Sequence, residues 1–509
     1  MFPRTESLDT TFTPQNATLL DAKPGPAGRK FLIAALAIIA ASIGAHWYTS
    51  RQVFNPDPIL LAQWAKEMLQ GGRLYSQVAL DKGPFAMVFY GLPQLFVPRS
   101  YTAIAVFLGI VLGLQGLAFY AASKNKLAGL AALSFVVLCP LTWLESCWAG
   151  TEHFSNVFVV TNLILGLSLL RTSRVSLVHC LLIGLATTLA FHTRQNAFIS
   201  VLAPLGILVT RPIPWKLRLK GVVGIFAGGL AGMVLIVLLV LLVSDLKSYF
   251  FQVFVFPFKY AGVDIAGGRI GLFAIGMERH FALVLLLFAA FAMASKARWA
   301  TLWLLVVGIA SCITSPREFG HYWVSLFPFI AMVIVLALDE DNPAATQWIR
   351  KASVAGLGVV WLLGMLPTFY LAGGGRNTHH MDVVVGEIHR VSQPDDTLYV
   401  FAPMSNEYIL FASKLRPAHM YYTWWDLDQH GRIYIKDAQI TIDEYHREPP
   451  TVFVIDKRFL DDTRDALTKH RPADQCPPSI RIAAGLLTGG NYRTVGETTN
   501  YVILRRQTK

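Results

Sequence analysis

Two side chains of opposite charge stand next to each other in a polar stretch that follows the first apolar segment. Asp81 and Lys82 precede Gly83-Pro84, and a second carboxylate, Asp57, lies between two prolines earlier in the same stretch, which runs from about Ser50 to Pro98. A lysine can neutralise the charge of a phosphate leaving group. A carboxylate can take the proton from an attacking hydroxyl. These residue types suit a reaction at a lipid phosphate beside a membrane.

Other ionisable residues fall at the ends of later apolar segments, on the same predicted side of the membrane. They are Glu145, Glu152, Arg194, Arg317, Glu318 and His321. Arg194 offers a second cation for a phosphate. A transporter is expected to place ionisable residues at mid-span, often on broken helices, rather than around one mouth. The pattern therefore favours an enzyme with its site on one face.

Simpler structural roles stay open for the residues of the first stretch. Asp57 can act only as the cap of a helix that starts near Ile59. The residues Asp81 to Pro84 can form only a turn, from which Lys82 reaches the membrane interface.

Simpler roles also stay open for the later residues. Arg194 can be a solvated loop residue or a headgroup contact, and Glu152 with His153 can be the polar collar of a span. An ordinary interface ion pair accounts equally well for Arg317, Glu318 and His321. An aromatic belt at the interface explains the Trp and Tyr residues at span ends, including Trp47, Trp148 and Tyr322.

The composition is that of a polytopic membrane protein. Of the 509 residues, 54% are hydrophobic and 15% are charged, and the mean hydropathy is +0.47. A soluble domain carries about 25% charged residues. The net charge of +12 would suit a nucleic-acid partner, but many basic residues lie in short loops between apolar segments. That distribution indicates membrane topology and argues against nucleic acid.

About eleven spans are predicted, with the N-terminus inside and the C-terminus outside. Each predicted inner loop carries Lys or Arg, as the positive-inside bias requires. The first span is expected to be an uncleaved anchor. The predicted spans are Phe31–Trp47, Tyr101–Ala122, Leu127–Leu144, Phe154–Leu170, Leu177–Phe191, Ala197–Val209, Val222–Val243, Phe281–Ala294, Trp299–Thr314, Tyr322–Leu338 and Val354–Leu371.

Three regions follow from these patterns: a flexible cytoplasmic tail over 1–30, a membrane domain over 31–372 and an outer α/β domain over 373–509. A hinge is expected at Gly373–Gly375. Short apolar runs bounded by turn residues predict strands, and strand–helix alternation favours a small parallel or mixed sheet. The predicted strands are Thr397–Phe401, Thr451–Ile455 and Tyr501–Leu504, and the predicted helices are Met381–Val391 and Glu407–Ser413.

The cysteines have no metal-binding spacing such as C-x-x-C, so a zinc site is not expected. Cys147 and Cys476 both fall on the outer side. A disulfide between them and two unrelated thiols are both compatible with the sequence.

Several short motifs, in this order, resemble those of the type-C (GT-C) membrane glycosyltransferases. The resemblance is to the bacterial family that includes the lipid A aminoarabinose transferase and the protein O-mannosyltransferase-like enzymes. It covers nearly the whole chain after the tail, and the motifs are short. They are Asp57, Gly71-Gly72, Tyr75, Asp81-Lys82-Gly83-Pro84, Thr151-Glu152, Arg194, and His321-Tyr322 with Pro328.

The resemblance implies a sugar donor on a polyprenyl phosphate and a single displacement that inverts the anomeric carbon. It implies that Asp57 is the base, that Lys82 and Arg194 hold the phosphate, and that Asp81 orients Lys82 or the acceptor. The substrate pocket would include Tyr75, Glu152, His321 and Tyr322. Since the carboxylates are not clustered, no metal is expected to be required, although some type-C enzymes use a divalent one.

The sequence departs from the family pattern at two positions. Gly83 replaces the first proline of the usual pair, and Leu60 stands where some members have an Arg. A phosphate contact is then missing or supplied elsewhere, for which the candidates are Arg73, Lys259 and Arg317.

The expected activity is sugar transfer to a cell-envelope glycolipid, polysaccharide or protein, on the outer side of a bacterial cytoplasmic membrane. The alternatives are a transporter or flippase of lipid-linked substrates and a lipid-linked-oligosaccharide ligase. Internal repeats would favour the transporter, and the sequence shows none. The long outer segment 244–279 keeps the ligase open.

Overall fold

The structure is a computed structural model. It describes residues 26–52, 56–76, 81–142, 148–172, 175–257, 298–314, 320–339, 379–402, 406–413, 415–419, 435–460, 463, 477–489 and 491–507.

Apolar helices account for most of the described residues before position 340. Among the described residues, four helices are long and apolar enough to cross a membrane, and these span Arg29–Ser50, Tyr101–Ala122, Thr151–Arg171 and Trp215–Val243. The helices are α1 (Pro26–Gln52), α2 (Pro56–Leu69), α3 (Pro84–Phe96), α4 (Tyr101–Ala122), α5 (Lys126–Leu138), α6 (Thr151–Arg171), α7 (Leu177–Phe191), α8 (Leu202–Thr210), α9 (Trp215–Val243), α10 (Leu246–Phe250), α11 (Arg298–Ile313) and α12 (Phe327–Asp339).

The predicted spans agree with these helices wherever the structure describes them. The predicted fifth span has the bounds of α7. In the third span a 3-10 turn over Cys139–Thr142 follows a shorter α-helix, and in the sixth and tenth spans 3-10 turns over Gln195–Val201 and Gly320–Leu326 precede one. Hydropathy identifies an apolar segment but does not register such a change of helix type. The eighth and eleventh predicted spans, the hinge and most of the predicted tail lie outside the described residues.

Two helices, α7 and α9, approach each other closely through small residues. A Cβ atom on Gly228 of α9 would lie 1.9 Å from the carbonyl oxygen of Leu181, and one on Gly184 of α7 would lie 1.8 Å from that of Ile225. Small residues four apart let membrane helices pack backbone to backbone. This contact places the end of α9 beside the end of α7. We call the end of the bundle at which α6 begins and α7 and α9 end the upper end.

Helices α2 and α3 belong to the predicted first loop. They pack on each other, and Gln94 of α3 donates its side-chain N–H to the carbonyl oxygen of Ala62 at 2.9 Å. Helix α3 begins at Pro84, a position where the missing N–H of proline has no helical partner to lose. With 13 residues, α3 is shorter than the roughly 20 needed to cross a bilayer.

The C-terminal region contains a mixed five-stranded sheet, as the sequence predicts. Its order is β2-β1-β3-β5-β4, with β1 parallel to β2 and β3, and β5 antiparallel to β3 and β4. The elements are α13 (His379–Val391), β1 (Thr397–Phe401), α14 (Asn406–Ala412), β2 (Arg416–Pro417), α15 (Ile435–Arg447), β3 (Val452–Asp456), α16 (Pro478–Thr488), β4 (Tyr492–Glu497) and β5 (Tyr501–Arg506).

Alternate strand residues face two helical layers. Leu398 and Val400 of β1 belong to a core shared with α13 and α14, whereas Tyr399 and Phe401 belong to one shared with α15 and α16. The first of these cores continues into the membrane helices, and α14 packs on α2. The C-terminal domain is therefore packed against the first loop.

Candidate active site

Polar residues from several helices meet at the upper end because neighbouring helices alternate in direction. Asp81 and Lys82 precede α3, Glu152 lies in the first turn of α6, and Arg194 follows the end of α7. Packing of α6 against α7 and α3 brings these positions to one place. The sequence prediction that they share one end is in agreement with this arrangement.

The backbone around Lys82 is held by side chains from two other segments. Gln195 donates its side-chain N–H to the carbonyl oxygen of Asp81 at 2.5 Å, and the Tyr75 hydroxyl donates to that of Lys82 at 3.0 Å. Tyr75 is buried and has a φ of 64°. A left-handed conformation is costly for a bulky residue and persists only where its surroundings enforce it. The hydroxyl of Tyr75 therefore helps to fix the backbone of Lys82.

Gly83 is in direct contact with the backbone of His192. A Cβ atom at this position would lie 2.3 Å from the carbonyl oxygen of His192, and the same oxygen accepts the N–H of Ala86 at 3.3 Å. No other residue type could approach so closely without displacing one of the two segments. This contact explains why glycine stands at this position.

Asp81 and Lys82 form an ion pair at the surface of the site. The Lys82 ammonium lies 2.5 Å from the Asp81 carboxylate, and the two side chains are 23% and 32% exposed. A partly solvated pair contributes little to stability and can be opened at small cost. The Lys82 ammonium is thus available to a competing anion.

Arg194 is the centre of a second, buried group. Its guanidinium lies 2.5 Å from the Glu152 carboxylate, donates to the Thr151 hydroxyl at 3.1 Å and stacks 4.5 Å from the ring centre of Tyr322. Both charged side chains are almost fully buried. Burial excludes the alternative that Arg194 is a solvated loop residue.

The charge of Arg194 is balanced by Glu152, and one of its donors is still unused. The Nε–H group is buried and has no hydrogen-bond partner among the residues that the structure describes. Arg194 is in contact with both Glu152 and Tyr322, two residues that the sequence prediction placed in the same site from distant segments. Tyr322 therefore does more than belong to an aromatic belt.

Asp57 lies near the buried residue Tyr90, which is also close to Glu152. Asp57 is exposed in the first turn of α2, inside the helix rather than at the cap position that the simpler explanation requires. The hydroxyl of buried Tyr90 donates to the carbonyl oxygen of Ala149. Burial raises the pKa of Tyr90 above its ordinary value, and the nearby carboxylates of Glu152 and Asp57 raise it further. The charges of Asp57 and Glu152 are therefore both close enough to influence the pKa of this hydroxyl.

The sequence analysis did not single out three residues of this region. His192, Gln195 and Tyr249 all contact the segments that hold Lys82 or each other. His192 and Gln195 lie within two residues of Arg194, and this proximity in the sequence could have identified them as candidates. Tyr249 gives no such signal because it lies 57 residues from its partner His192.

Several predicted positions lie outside the described residues: Glu145, Cys147, Lys259, Arg317, Glu318, Cys476 and the side chain of His321. In the parts of the chain that are described, no three His, Cys, Asp or Glu side chains group as metal ligands. The expectation that no metal is required stays a prediction.

The fold is similar to that of solved membrane proteins. ArnT from Cupriavidus metallidurans bound to undecaprenyl phosphate matches with a TM-score of 0.61 and 14% identity, covering 94% of this chain and 97% of that chain. Its apo state matches with the same TM-score and identity, over 94% and 98% of the two chains. This likeness confirms the predicted fold, a polytopic helical bundle with a sheet in the C-terminal region.

A more distant similarity is to the archaeal oligosaccharyltransferase AglB from Archaeoglobus fulgidus in complex with an inhibitory peptide and a dolichol-phosphate. Its TM-score is 0.45 at 11% identity, over 85% of this chain and 70% of that chain, which is too low to support an argument. No protein-family model matches the sequence, and no curated protein matches it.

Proposed function

We propose that the protein is an inverting membrane glycosyltransferase. It transfers a sugar from a polyprenyl-phosphate donor to a hydroxyl of a cell-envelope glycolipid, polysaccharide or protein. One observation carries the proposal: the chain shares its fold over 94% of its length with ArnT bound to undecaprenyl phosphate. It also carries cations and carboxylates together at one end of the bundle. That end faces the outer side of a bacterial cytoplasmic membrane.

Lys82 is the principal ligand of the donor phosphate. Its pairing with Asp81 is partly solvated, so a phosphate can replace the Asp81 carboxylate at small cost. The ammonium then stabilises the charge that develops on the phosphate as the glycosidic bond breaks. Asp81, once released, orients Lys82 or the acceptor.

Arg194 contributes to the same phosphate with its remaining donors. Its pairing with Glu152 is buried, and breaking such a pair would leave an uncompensated charge. We therefore assign Arg194 the role of binding phosphate while still paired, through its unused Nε–H. Arg317 is a further candidate for this phosphate, and Tyr75, Glu152, His321 and Tyr322 complete the pocket.

Asp57 is the general base. The acceptor oxygen forms a bond to the anomeric carbon while the bond from that carbon to the phosphate oxygen breaks. The electron pair of the broken bond goes to the phosphate, which leaves as polyprenyl phosphate, and the acceptor proton goes to the Asp57 carboxylate. An exposed carboxylate next to the site can reach an acceptor that arrives from outside the membrane.

Sugar transfer in membranes supplied with radiolabelled polyprenyl-phosphate sugars tests the proposal. We expect the parent to transfer label, and Asp57→Asn to reduce the rate about a hundredfold or more, as the loss of a general base does. Asp443→Asn is the matched control, because Asp443 is an exposed carboxylate of the C-terminal domain. Parental rates in Asp57→Asn would remove Asp57 from the role of base. Failure of the parent to use any such donor would contradict the function and favour a transporter.

A further inference from the structure

Beneath Lys82 lies a chain of three polar aromatic side chains, which we call the aromatic clamp. It consists of His192, Tyr249 and Tyr75, and all three are buried. The Tyr249 hydroxyl lies 3.3 Å from His192 Nδ1, and the rings of Tyr249 and Tyr75 meet edge to face with centres 5.4 Å apart. The Tyr75 hydroxyl donates to the carbonyl oxygen of Lys82. The clamp therefore ends on the residue assigned to the donor phosphate.

The hydrogen-bond directions of the clamp follow from its surroundings. His192 Nε2 lies 3.4 Å from the sulfur of Met233 on α9, and a thioether can only accept. Burial lowers the pKa of His192 to about 4, so the ring is neutral. The tautomer that satisfies both contacts carries its proton on Nε2. Nδ1 then accepts from the Tyr249 hydroxyl.

His192 also holds the other side of the Lys82 segment. Its backbone is in contact with Gly83, and its carbonyl oxygen accepts the N–H of Ala86. His192 thus has two connections to this segment. Its backbone touches the residues after Lys82, and its side chain is connected to the carbonyl group of Lys82 through Tyr249 and Tyr75. Replacing either His192 or Tyr249 by phenylalanine keeps the backbone contacts of residue 192 with this segment but removes the bond between the Tyr249 hydroxyl and His192 Nδ1, which joins the two residues of the clamp.

We infer that His192 and Tyr249 are positioning residues for Lys82, a role that rests on the proposed function of Lys82 as the phosphate ligand. They fix the backbone from which the ammonium reaches the donor. Neither residue touches substrate. Their loss lets the Lys82 segment move while the helices keep their packing.

A double-mutant experiment tests this inference. Tyr249→Phe and His192→Phe are each expected to lower kcat/KM for the polyprenyl-phosphate donor about tenfold, the cost of a small misplacement of a catalytic group. Each is expected to have no further effect in a Lys82→Ala background. His192→Asn, whose side-chain oxygen can accept near the position of Nδ1, is expected to keep most of the parental rate. Equal losses with and without Lys82 would overturn the inference.

A second measurement does not depend on sugar transfer. Mass spectrometry measures the rate at which a small acylating reagent labels the Lys82 amine. This rate is expected to rise about threefold or more in Tyr249→Phe and His192→Phe variants that fold, because the segment loosens, and to stay near the parental rate in His192→Asn. Tyr492→Phe is the matched control, since it removes a bonded hydroxyl from the C-terminal sheet. Unchanged labelling in Tyr249→Phe would overturn the inference. If the parent transfers no sugar, the proposed function fails, and the labelling still decides whether the clamp holds Lys82.

Discussion

The guanidinium of Arg194 and the carboxylate of Glu152 form an ion pair with a separation of 2.5 Å, and only 9% and 2% of the two side chains are exposed. The pair joins the beginning of α6 to the segment that follows α7. Two opposite charges in a buried setting compensate each other, and either charge destabilises the folded protein when the other is removed. The pair is thus part of the framework of the candidate site as well as of its chemistry.

Glu152→Gln is expected to destabilise the protein strongly. It leaves the Arg194 charge buried without its partner, for which a cost of about 3 to 5 kcal/mol is typical. Thermal unfolding in detergent measures the effect, and Glu152→Gln/Arg194→Gln is expected to recover part of it. Glu387→Gln is the control, because Glu387 pairs with a largely exposed Arg390. Equal shifts of the unfolding midpoint for Glu152→Gln and Glu387→Gln would contradict the prediction.

Gly83→Ala is expected to impair sugar transfer more than folding. The added methyl group would meet the His192 carbonyl oxygen at 2.3 Å, so the segment that carries Lys82 must move. A displacement of this size lowers kcat/KM by about tenfold to a hundredfold. Gly386→Ala is the control, since its Cβ would meet no atom within 4 Å. Parental activity in Gly83→Ala would show that the position of this segment is not important.

Gly228→Ala is expected to separate α7 from α9. Its Cβ would lie 1.9 Å from the carbonyl oxygen of Leu181, which is backbone and cannot rotate away. Overpacking of this kind costs about 1 to 3 kcal/mol, and it also moves Met233 away from His192. The adjacent Gly229→Ala is a closely matched control, because its Cβ would be in ordinary van der Waals contact with the Thr188 hydroxyl at 3.7 Å and the Gly184 carbonyl oxygen at 3.8 Å. Similar unfolding midpoints for the two variants would refute the close helix contact.

Lys66 is expected to make the stability depend on pH in the alkaline range. It is 4% exposed on α2, and burial lowers its pKa to about 8, with further lowering from Arg99 and Arg416 against the opposing charge of Glu67. Between pH 8 and the ordinary value of 10.5, the unfolded chain binds the proton and the folded chain does not. Stability therefore rises with pH across this window.

The Lys66→Met variant removes this dependence. At pH 7 it is expected to be more stable than the parent by up to about 3 kcal/mol, which corresponds to the lowering of the Lys66 pKa from 10.5 to about 8. Unfolding at several pH values measures the difference between parent and variant, and Lys247→Met serves as a surface control. A parent–variant difference that is constant from pH 7 to 10.5 would show that Lys66 is not buried in its charged form.

Helices and strands that are specified by the local pattern of apolar residues were predictable from the sequence. An apolar run between basic loops specifies a membrane helix by hydropathy alone, so the bounds predicted for α4 and α7 agree with those observed. The strand β1 was likewise predicted with its observed bounds. Strand β3 begins and ends one residue later than predicted, and β4 was missed because its residues are mostly half-buried or exposed.

Residue types also predicted which groups belong together, but not how they pair. Charges are rare beside a membrane, so their presence at one face singled out Lys82, Glu152 and Arg194. That Arg194 pairs with Glu152, while Lys82 pairs with its neighbour Asp81, is decided by the packing of α6 on α7.

The sequence by itself determined the class of the protein: a polytopic helical bundle, a C-terminal sheet domain and a set of candidate polar residues at one end. Only the tertiary structure decided which groups touch, for example that Tyr249 bonds to His192 and that Gly83 lies against the same residue. The physical reason is the distance along the chain over which each kind of signal acts. Hydropathy and periodicity act over one turn or one span, whereas these contacts depend on how closely α7 and α9 approach, and that distance is set by backbone atoms far apart in the chain.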